Sequence, residues 1–540
     1  MFWNYFALAV YAICMVCIAI YTRKRSGSVD DFLMGGKKGL GGWMTAFAYG
    51  TTYFSAVIFI GYAGKFGQEY GLASVWIGVG NAVFGSLLAW ILLAKRTKNM
   101  TCRLQAKTMP EFFEKRYGSR GLKLTSAVII FLFLIPYSAS VYNGLSALFG
   151  IVFGIPGWVV MIALAALTAL YLFFGGYFAT ALSDFIQGIV MLVGVGLMVF
   201  FFMNSPNVSW DLGELVSNPE LSWFTFGSEK GGIYGHTASV VSLVLLTSFG
   251  VFALPQTIHK YYAIRDARAI RQGTVVSTLF ALIIGFGAYF TGALSGLFPD
   301  LLAGVGGDNV IPTMLAAVIP AGLMGVIAVL ILSASMSTLS SVSLASASVV
   351  AVDLYKGGIN PRASDKRVNL MMRVLCLVFI LVSVVIALLN ERYGIAAIAY
   401  LMGLSWGTLA GCFMGPFVLG LFWRRVSRAA VWSSIVSSLS LTVILTLLFG
   451  YHQNGFNCAL GRALASGVSV SPMVGVICMI SSLAVTAAVS LLTKAPEQDI
   501  IRNAFDKEDE RVITVVSLLT KAPSAEMIGE AFDKEDERVI

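Results

Sequence analysis

Apolar stretches of about twenty residues, separated by short polar loops, recur along the whole of this 540-residue chain. Helices of that length cross a hydrocarbon core of about 30 Å. The pattern predicts about thirteen membrane-crossing helices, at roughly 2–22, 40–64, 71–94, 124–148, 157–175, 179–203, 236–259, 272–298, 313–352, 370–389, 393–423, 429–450 and 465–492. Such a distribution excludes a cleaved signal peptide or a single anchor as its explanation. Two spans are interrupted at membrane depth. The second runs through Ala48-Tyr49-Gly50-Thr51-Thr52-Tyr53-Phe54-Ser55, and the seventh through Ser248-Phe249-Gly250-Val251-Phe252-Ala253-Leu254-Pro255-Gln256. Gly, Ser and Pro are tolerated in membrane helices as plain kinks, so either break alone is ambiguous. Five spans separate the two, however, as expected if spans 2–6 and 7–11 are inverted copies of one five-helix unit with a binding site at the paired breaks.

Charge sets the orientation. Basic residues follow the first span (Arg23, Lys24, Arg25, Lys37, Lys38), and a strongly basic loop from Lys95 to Arg116 follows the third. The seventh, ninth and eleventh end in the same way, at Lys260 to Arg271, Lys356 to Arg367 and Arg424 to Arg428, while the intervening loops hold almost nothing basic. By the positive-inside rule the N-terminus is outside and the C-terminus is cytoplasmic. The expected organisation is a first helix and loop (1–39), a first repeat (40–204), an extracytoplasmic loop (205–235), a second repeat (236–423), two further helices (424–492) and a cytoplasmic tail (493–540). A composition 57% hydrophobic and 12% charged agrees with lipid as the main solvent. The net charge of +9 lies in alternate loops instead of one contiguous basic surface, so no nucleic acid is expected as a partner.

Asp184 falls within the sixth span, where an aspartate costs about 2.5–3.5 kcal/mol at a helix centre. It is either hydrated at the cytoplasmic end or compensated. No basic residue in the predicted spans is an obvious partner, so a bound cation is the simplest one. The ninth span supplies hard oxygen ligands in Ser333-Ala334-Ser335-Met336-Ser337-Thr338-Leu339-Ser340-Ser341-Val342-Ser343. Ala334, Ser337, Thr338 and Ser341 share one helical face. Such oxygens suit alkali cations, though small hydroxylated residues also glue membrane helices together. The seven cysteines are scattered, and Cys14 and Cys17 lie inside the first span without a further ligand, so they read as packing residues. His236, His259 and His452 fall near span ends and read as surface residues.

These residues resemble the sodium:solute symporter family over roughly residues 1–500. The resemblance rests on Asp31-Phe32-Leu33-Met34-Gly35-Gly36, the break at Thr51 to Ser55, Ser183-Asp184-Phe185-Ile186-Gln187-Gly188 and Met336-Ser337-Thr338-Leu339-Ser340. It implies an all-α polytopic membrane protein with the LeuT-type 5+5 inverted-repeat fold. It also implies a shared sodium site built from the carbonyls of Thr51, Phe54 and Ala334 and the hydroxyls of Ser337 and Thr338. Some members, such as sialic acid transporters, hold a second sodium with an aspartate and two serines, positions kept here as Asp184, Ser340 and Ser341. Na+, as one or two coupling ions, is then the only metal expected, and no residue is expected to be catalytic.

The solute is expected to be small and polar or anionic. Where proline symporters of the family carry an aspartate in the first break this chain has Tyr53, and where they carry a Trp and a Tyr in the second it has Thr247 and Val251. The arginine of sialic acid transporters is replaced near Tyr137, and the glutamine of sugar symporters near Leu404. Sodium/pantothenate-like members are similar at both breaks, which favours pantothenate-like or monocarboxylate solutes and makes Tyr53, Ser55, Ala56, Thr247, Phe249 and Gln256 the candidate contacts, Phe249 standing where relatives place an aromatic gate. An ATP-driven pump would need a phosphate-cradling Gly-x-x-x-x-Gly-Lys-Ser/Thr loop, which the sequence lacks. A membrane nutrient sensor built on a transporter fold is the remaining rival, with proline, sugar or sialic acid as alternative solutes. The expected partners are thus the solute and the lipid of an inner, bacterial-type cell membrane; a monomer suffices, with dimerisation open. The tail is unusual: Val489 to Ile513 is closely repeated as Val516 to Ile540, and it is assigned no function.

Overall fold

The computed structural model describes residues 2–505 except 24–26, 37–38, 212, 214, 216–220 and 222–235. The repeated half of the tail and most of the 205–235 loop therefore lie outside the described residues. The described chain is helical, and its one isolated β-bridge joins Leu40 to Ile264.

The principal helices are α1 (Phe2–Thr22), α2 (Gly42–Tyr53), α3 (Val57–Leu104), α4 (Arg120–Phe153), α5 (Gly157–Met203), α6 (His236–Gly250), α7 (Pro255–Ala263), α8 (Ala267–Ala293), α9 (Met324–Ile359), α10 (Asp365–Tyr393), α11 (Ile398–Phe422), α12 (Arg428–Asn454), α13 (Ser471–Leu492) and α14 (Gln498–Ala504). Counting α6 and α7 as one, eleven helices among the described residues are long and apolar enough to cross a membrane, where about thirteen were expected. The difference lies in α3 and α5, which run 48 and 47 residues. A straight helix of that length would be about 70 Å long, twice what a bilayer needs. Each turns inside itself at a glycine with positive φ, Gly71 (φ 56°) in α3 and Gly176 (φ 59°) in α5. Any side chain at Gly176 would also collide with Phe32, 2.7 Å from where its Cβ would stand. Each can therefore make two crossings.

The polarity of packing is that of a protein in lipid. Between the charged ends of α10 the exposed residues include Leu370, Val374, Leu377, Val378, Leu381 and Val385, an apolar stripe, while α12 buries Ser434, Ser438 and Thr442. Hydroxyls inside and aliphatic groups outside are favourable when the surroundings are hydrocarbon, because an unpaired hydroxyl there has no water to turn to. At the centre stands α9, nearly all of it buried, packed against α1, α4 and α5.

Both predicted breaks are present. Helix α2 ends where Phe54 turns extended (φ −99°, ψ 97°), and Ser55 Oγ then accepts from the Val57 N–H at 3.2 Å to start α3. Helix α6 ends at Gly250, Leu254 is extended, and Pro255, which has no N–H to lose, opens α7. The Leu40–Ile264 bridge ties the loop before α2 to the end of α7, with Leu40 N–H donating to Ala263 O at 2.8 Å.

Candidate functional site

A broken helix leaves carbonyls without intrahelical partners, and the C-terminal end of a half-helix carries roughly half a negative charge. At the end of α2 these carbonyls point at α9. Ser337 Oγ lies 3.0 Å from Thr51 O and 3.2 Å from Ala334 O; Thr338 Oγ1 lies 3.4 Å from both Thr51 O and Thr52 O and 3.2 Å from Ala334 O. All of these residues are buried. Four of the five residues expected at a shared sodium site thus converge. For the fifth, Phe54, the ring packs against Tyr53 and Phe280 and the N–H donates to Gly50 O, and none of the described contacts runs from its carbonyl to α9. The donor set is entirely neutral oxygen at a negative helix end, which fits an alkali cation and offers nothing to a soft metal.

The candidate solute contacts gather around both breaks. Tyr53 hydroxyl donates to Thr247 O at 2.7 Å and so links one break to the other. Thr247 Oγ1 lies 2.7 Å from Asn81 Oδ1. Ser55 and Ala56 are buried at the first break, while Phe249 is half-buried and stacks on Phe84 with ring centroids 5.3 Å apart. Gln256 opens α7 on the far side of the second break. Its carboxamide is buried, and neither its oxygen nor its nitrogen has a hydrogen-bond partner among the described residues. Trp406 was not singled out in the sequence. It stacks on Tyr53, meets Tyr137 edge-on, and lies 3.6 Å from where a Cβ of Gly250 would stand; its indole N–H is likewise buried without a described partner.

The expectation that Asp184 lacks a basic partner is corrected. Lys260 Nζ lies 3.5 Å from Asp184 Oδ2, and both side chains are wholly enclosed, at 1% and 0% exposure. The same ammonium donates to Ser341 Oγ at 2.8 Å and lies 5.2 Å from the centre of the Tyr177 ring. In the sequence Lys260 counts as the first basic residue of a cytoplasmic loop; in the fold the short helix α7 carries it under the bundle. Ser340, expected beside Asp184, instead donates to Ser337 O at 2.9 Å. His259 is not a surface residue either: it is half-buried, edge-on to Tyr177, with Nε2 enclosed. Asn81, Trp406 and Lys260 are the residues that sequence reasoning missed. Only Lys260 left a usable signal, because it follows Gln256 by four residues and therefore shares its helical face.

An all-helical membrane bundle with two matched helix breaks, hard oxygens at one and unpartnered polar groups at the other, defines a secondary transporter of the inverted-repeat class. The chain belongs to the sodium:solute symporter family, whose model matches residues 32–437. It is 28% identical over 453 residues to the osmoregulated proline transporter of Bacillus subtilis (strain 168), a match covering 82% of this chain and 88% of that protein. To the sodium/pantothenate symporter of Escherichia coli (strain K12) it is 27% identical over 456 residues, covering 82% and 92%. A solved Na+-coupled sialic acid symporter in a substrate-bound outward-open state superposes with a TM-score of 0.73 over 92% of this chain and 99% of that one, at 18% identity, which establishes the shared fold. The protein is a multi-pass inner-membrane transporter that couples solute movement to sodium, and it is not an enzyme.

Proposed function

We propose that this chain imports a small polar or anionic organic solute, of pantothenate-like or monocarboxylate class, by sodium-driven alternating access. The observation that carries the solute class is Gln256, a buried carboxamide with neither end partnered among the described residues, at the N-terminal, positive end of the half-helix α7. Buried polar groups are almost always paired, and an exception calls for a partner the protein does not itself supply. A solute oxygen is such a partner. Tyr53, Ser55, Ala56, Thr247 and Phe249 complete the pocket.

Sodium enters from outside, where the N-terminus lies, and binds the carbonyls of Thr51, Phe54 and Ala334 with the hydroxyls of Ser337 and Thr338. It pins α2 to α9 and completes the solute pocket on the other side of the break. Coupling is then a shared conformational equilibrium between the two halves, residues 40–204 and 236–423. One sodium crossing about 100 mV gives about 2.3 kcal/mol, and a tenfold gradient adds about 1.4.

A second reading, proline, is favoured by the names of the 28%-identical relatives and opposed by Tyr53, Thr247 and Val251. The test is uptake into proteoliposomes of labelled pantothenate, short monocarboxylates, proline, sialic acid and glucose, with and without an inward sodium gradient. Sodium-driven accumulation of pantothenate or a monocarboxylate is expected. Accumulation of proline alone would replace the first reading by the second, and binding without accumulation would point to a sensor.

A further inference from the structure

We infer that Lys260 is a tethered cation standing where a second sodium would bind, so that this chain carries one sodium per transport cycle. The inference deepens the proposed function and rests on its oxygen cluster at Thr51 and Ser337.

Three helices meet at the Lys260 ammonium, and a fourth joins through Ser341. Helix α5 brings Asp184, α9 brings Ser341, α2 brings Thr52 and α7 brings Lys260 itself. From the ammonium a chain of hydrogen bonds runs in one direction. Nζ donates to Ser341 Oγ at 2.8 Å; Ser341 Oγ lies 2.8 Å from Thr52 Oγ1; and Thr52 Oγ1 donates to Ala48 O at 2.6 Å. With the ammonium as the first donor, each hydroxyl accepts once and donates once. Both hydroxyls therefore have their protons turned away from the ammonium, as they would be turned away from a metal ion.

Charge makes the substitution exclusive. Asp184 and Lys260 sum to zero, and both are fully enclosed. A sodium added beside them would leave one net positive charge inside the bundle, with no further carboxylate in contact with the pair among the described interactions. Buried charges persist only when compensated. A carboxylate whose compensation is covalently attached has no deficit for a free ion to fill. Remove the lysine, and Asp184 with Ser341 becomes an oxygen site one charge short.

The consequence is energetic. One ion supports about two to three orders of magnitude of accumulation of a neutral solute, where two would support about five. For a monoanionic solute, one sodium makes the cycle electroneutral, and membrane potential then contributes nothing to uptake.

The test counts sodium alone, so it does not depend on knowing the solute. Equilibrium binding of radiolabelled sodium to the purified full chain should saturate at one ion in the wild type, two in Lys260→Met and one again in Asp184→Asn/Lys260→Met. Two ions in the wild type would overturn the inference, as would one ion in a Lys260→Met protein that remains monodisperse and melts cooperatively. If Lys260→Met does not fold, the wild-type count still decides. The pair Ser337→Ala/Thr338→Ala separates this inference from the reading beneath it: it should abolish binding in the wild-type background yet leave one ion in the Lys260→Met background. An unchanged wild-type count in that pair would remove the proposed cluster, whereas loss of both ions from the Lys260→Met background would remove the latent second position.

Discussion

Around Thr51 and Ser337 the converging oxygens belong to carbonyls and hydroxyls, all neutral, whereas one turn further along α9 Ser341, bonded to the Thr52 hydroxyl of α2, meets an ammonium that already faces the Asp184 carboxylate. The two places use similar ligand chemistry on shared elements, yet they differ in how their charge is balanced. The neutral cluster contains no cation of its own and can attract one only through helix-end dipoles. The charged position brings its own cation on a side chain. A cation that must come and go suits the first arrangement, because its loss leaves no buried charge behind. A cation that must stay suits the second.

The largest effect should come from breaking the charged position on one side only. Asp184→Ala leaves the Lys260 ammonium enclosed without its counter-charge, and breaking a buried pair in this way costs about 3–5 kcal/mol. Expected is a large fall in folded yield and thermal stability in detergent, partly restored when Lys260→Met is added; a single variant as stable as the wild type would show that the pair does not hold charge at all. At the neutral cluster the balance reverses. Ser337→Ala or Thr338→Ala should leave folding nearly intact but raise the sodium concentration for half-maximal uptake about ten- to a hundredfold, since a hydrogen-bond-type contact to a charged group is worth about 1.5–3 kcal/mol. An unchanged sodium dependence would remove these hydroxyls from the ion's surroundings.

That contrast also explains what the sequence could convey. Both helix breaks were legible because their causes are local: Gly50 and Gly250, the hydroxyl cluster at Thr51 to Ser55, and Pro255. The hydroxyl face of α9 was legible because helical spacing alone defines it. Lys260 was not, since its burial depends on where the fold puts the end of α7. In the sequence it heads the run to Arg271, and a charge count treats it like Arg265 or Arg268, which are exposed. Its neighbours Asp184, Ser341 and Thr52 lie 76, 81 and 208 residues away, by their numbering. The helix count differs for a related reason: the spans expected to divide near 64–71 and 175–179 run on as the single long helices α3 and α5, which turn at Gly71 and Gly176 without a polar loop to part them.

Gln256 sharpens the comparison from the solute's side. Gln256→Leu removes a neutral carboxamide from the second break without touching either cation position. Losing one net hydrogen bond of about 1 kcal/mol should raise KM for the solute about three- to tenfold, with the sodium dependence at saturating solute unmoved. If sodium affinity fell in step with solute affinity, the two halves of the pocket would be one site, and Gln256 would belong to the ion.

A second buried cationic side chain tests whether the neutral arrangement generalises. Arg116 is fully enclosed, and instead of a carboxylate it finds the last carbonyls of α11 and the segment beyond, with Nε donating to Gly420 O and Nη2 to Trp423 O, each at 3.0 Å. Tyr117 and Phe505 lay their rings against the guanidinium at 5.0 and 4.9 Å, and Arg424 approaches the same Phe505 ring at 5.5 Å. A helix C-terminus therefore compensates a permanent cation here, by the physics that would hold an exchangeable one at the end of α2. Phe505, just past α14, is itself buried in the hydrophobic core, so it contributes apolar packing as well as the ring contact, the latter worth about 0.5–1 kcal/mol or more where water is excluded. Phe505→Ala should accordingly lower thermal stability, by up to about 3–5 kcal/mol for a buried phenylalanine, and leave both the sodium affinity and the uptake rate of the folded protein unchanged. A large loss of uptake would mean that the end of α14 is coupled to the transport cycle through Arg116 and α11, whose Trp406 stands between the two breaks.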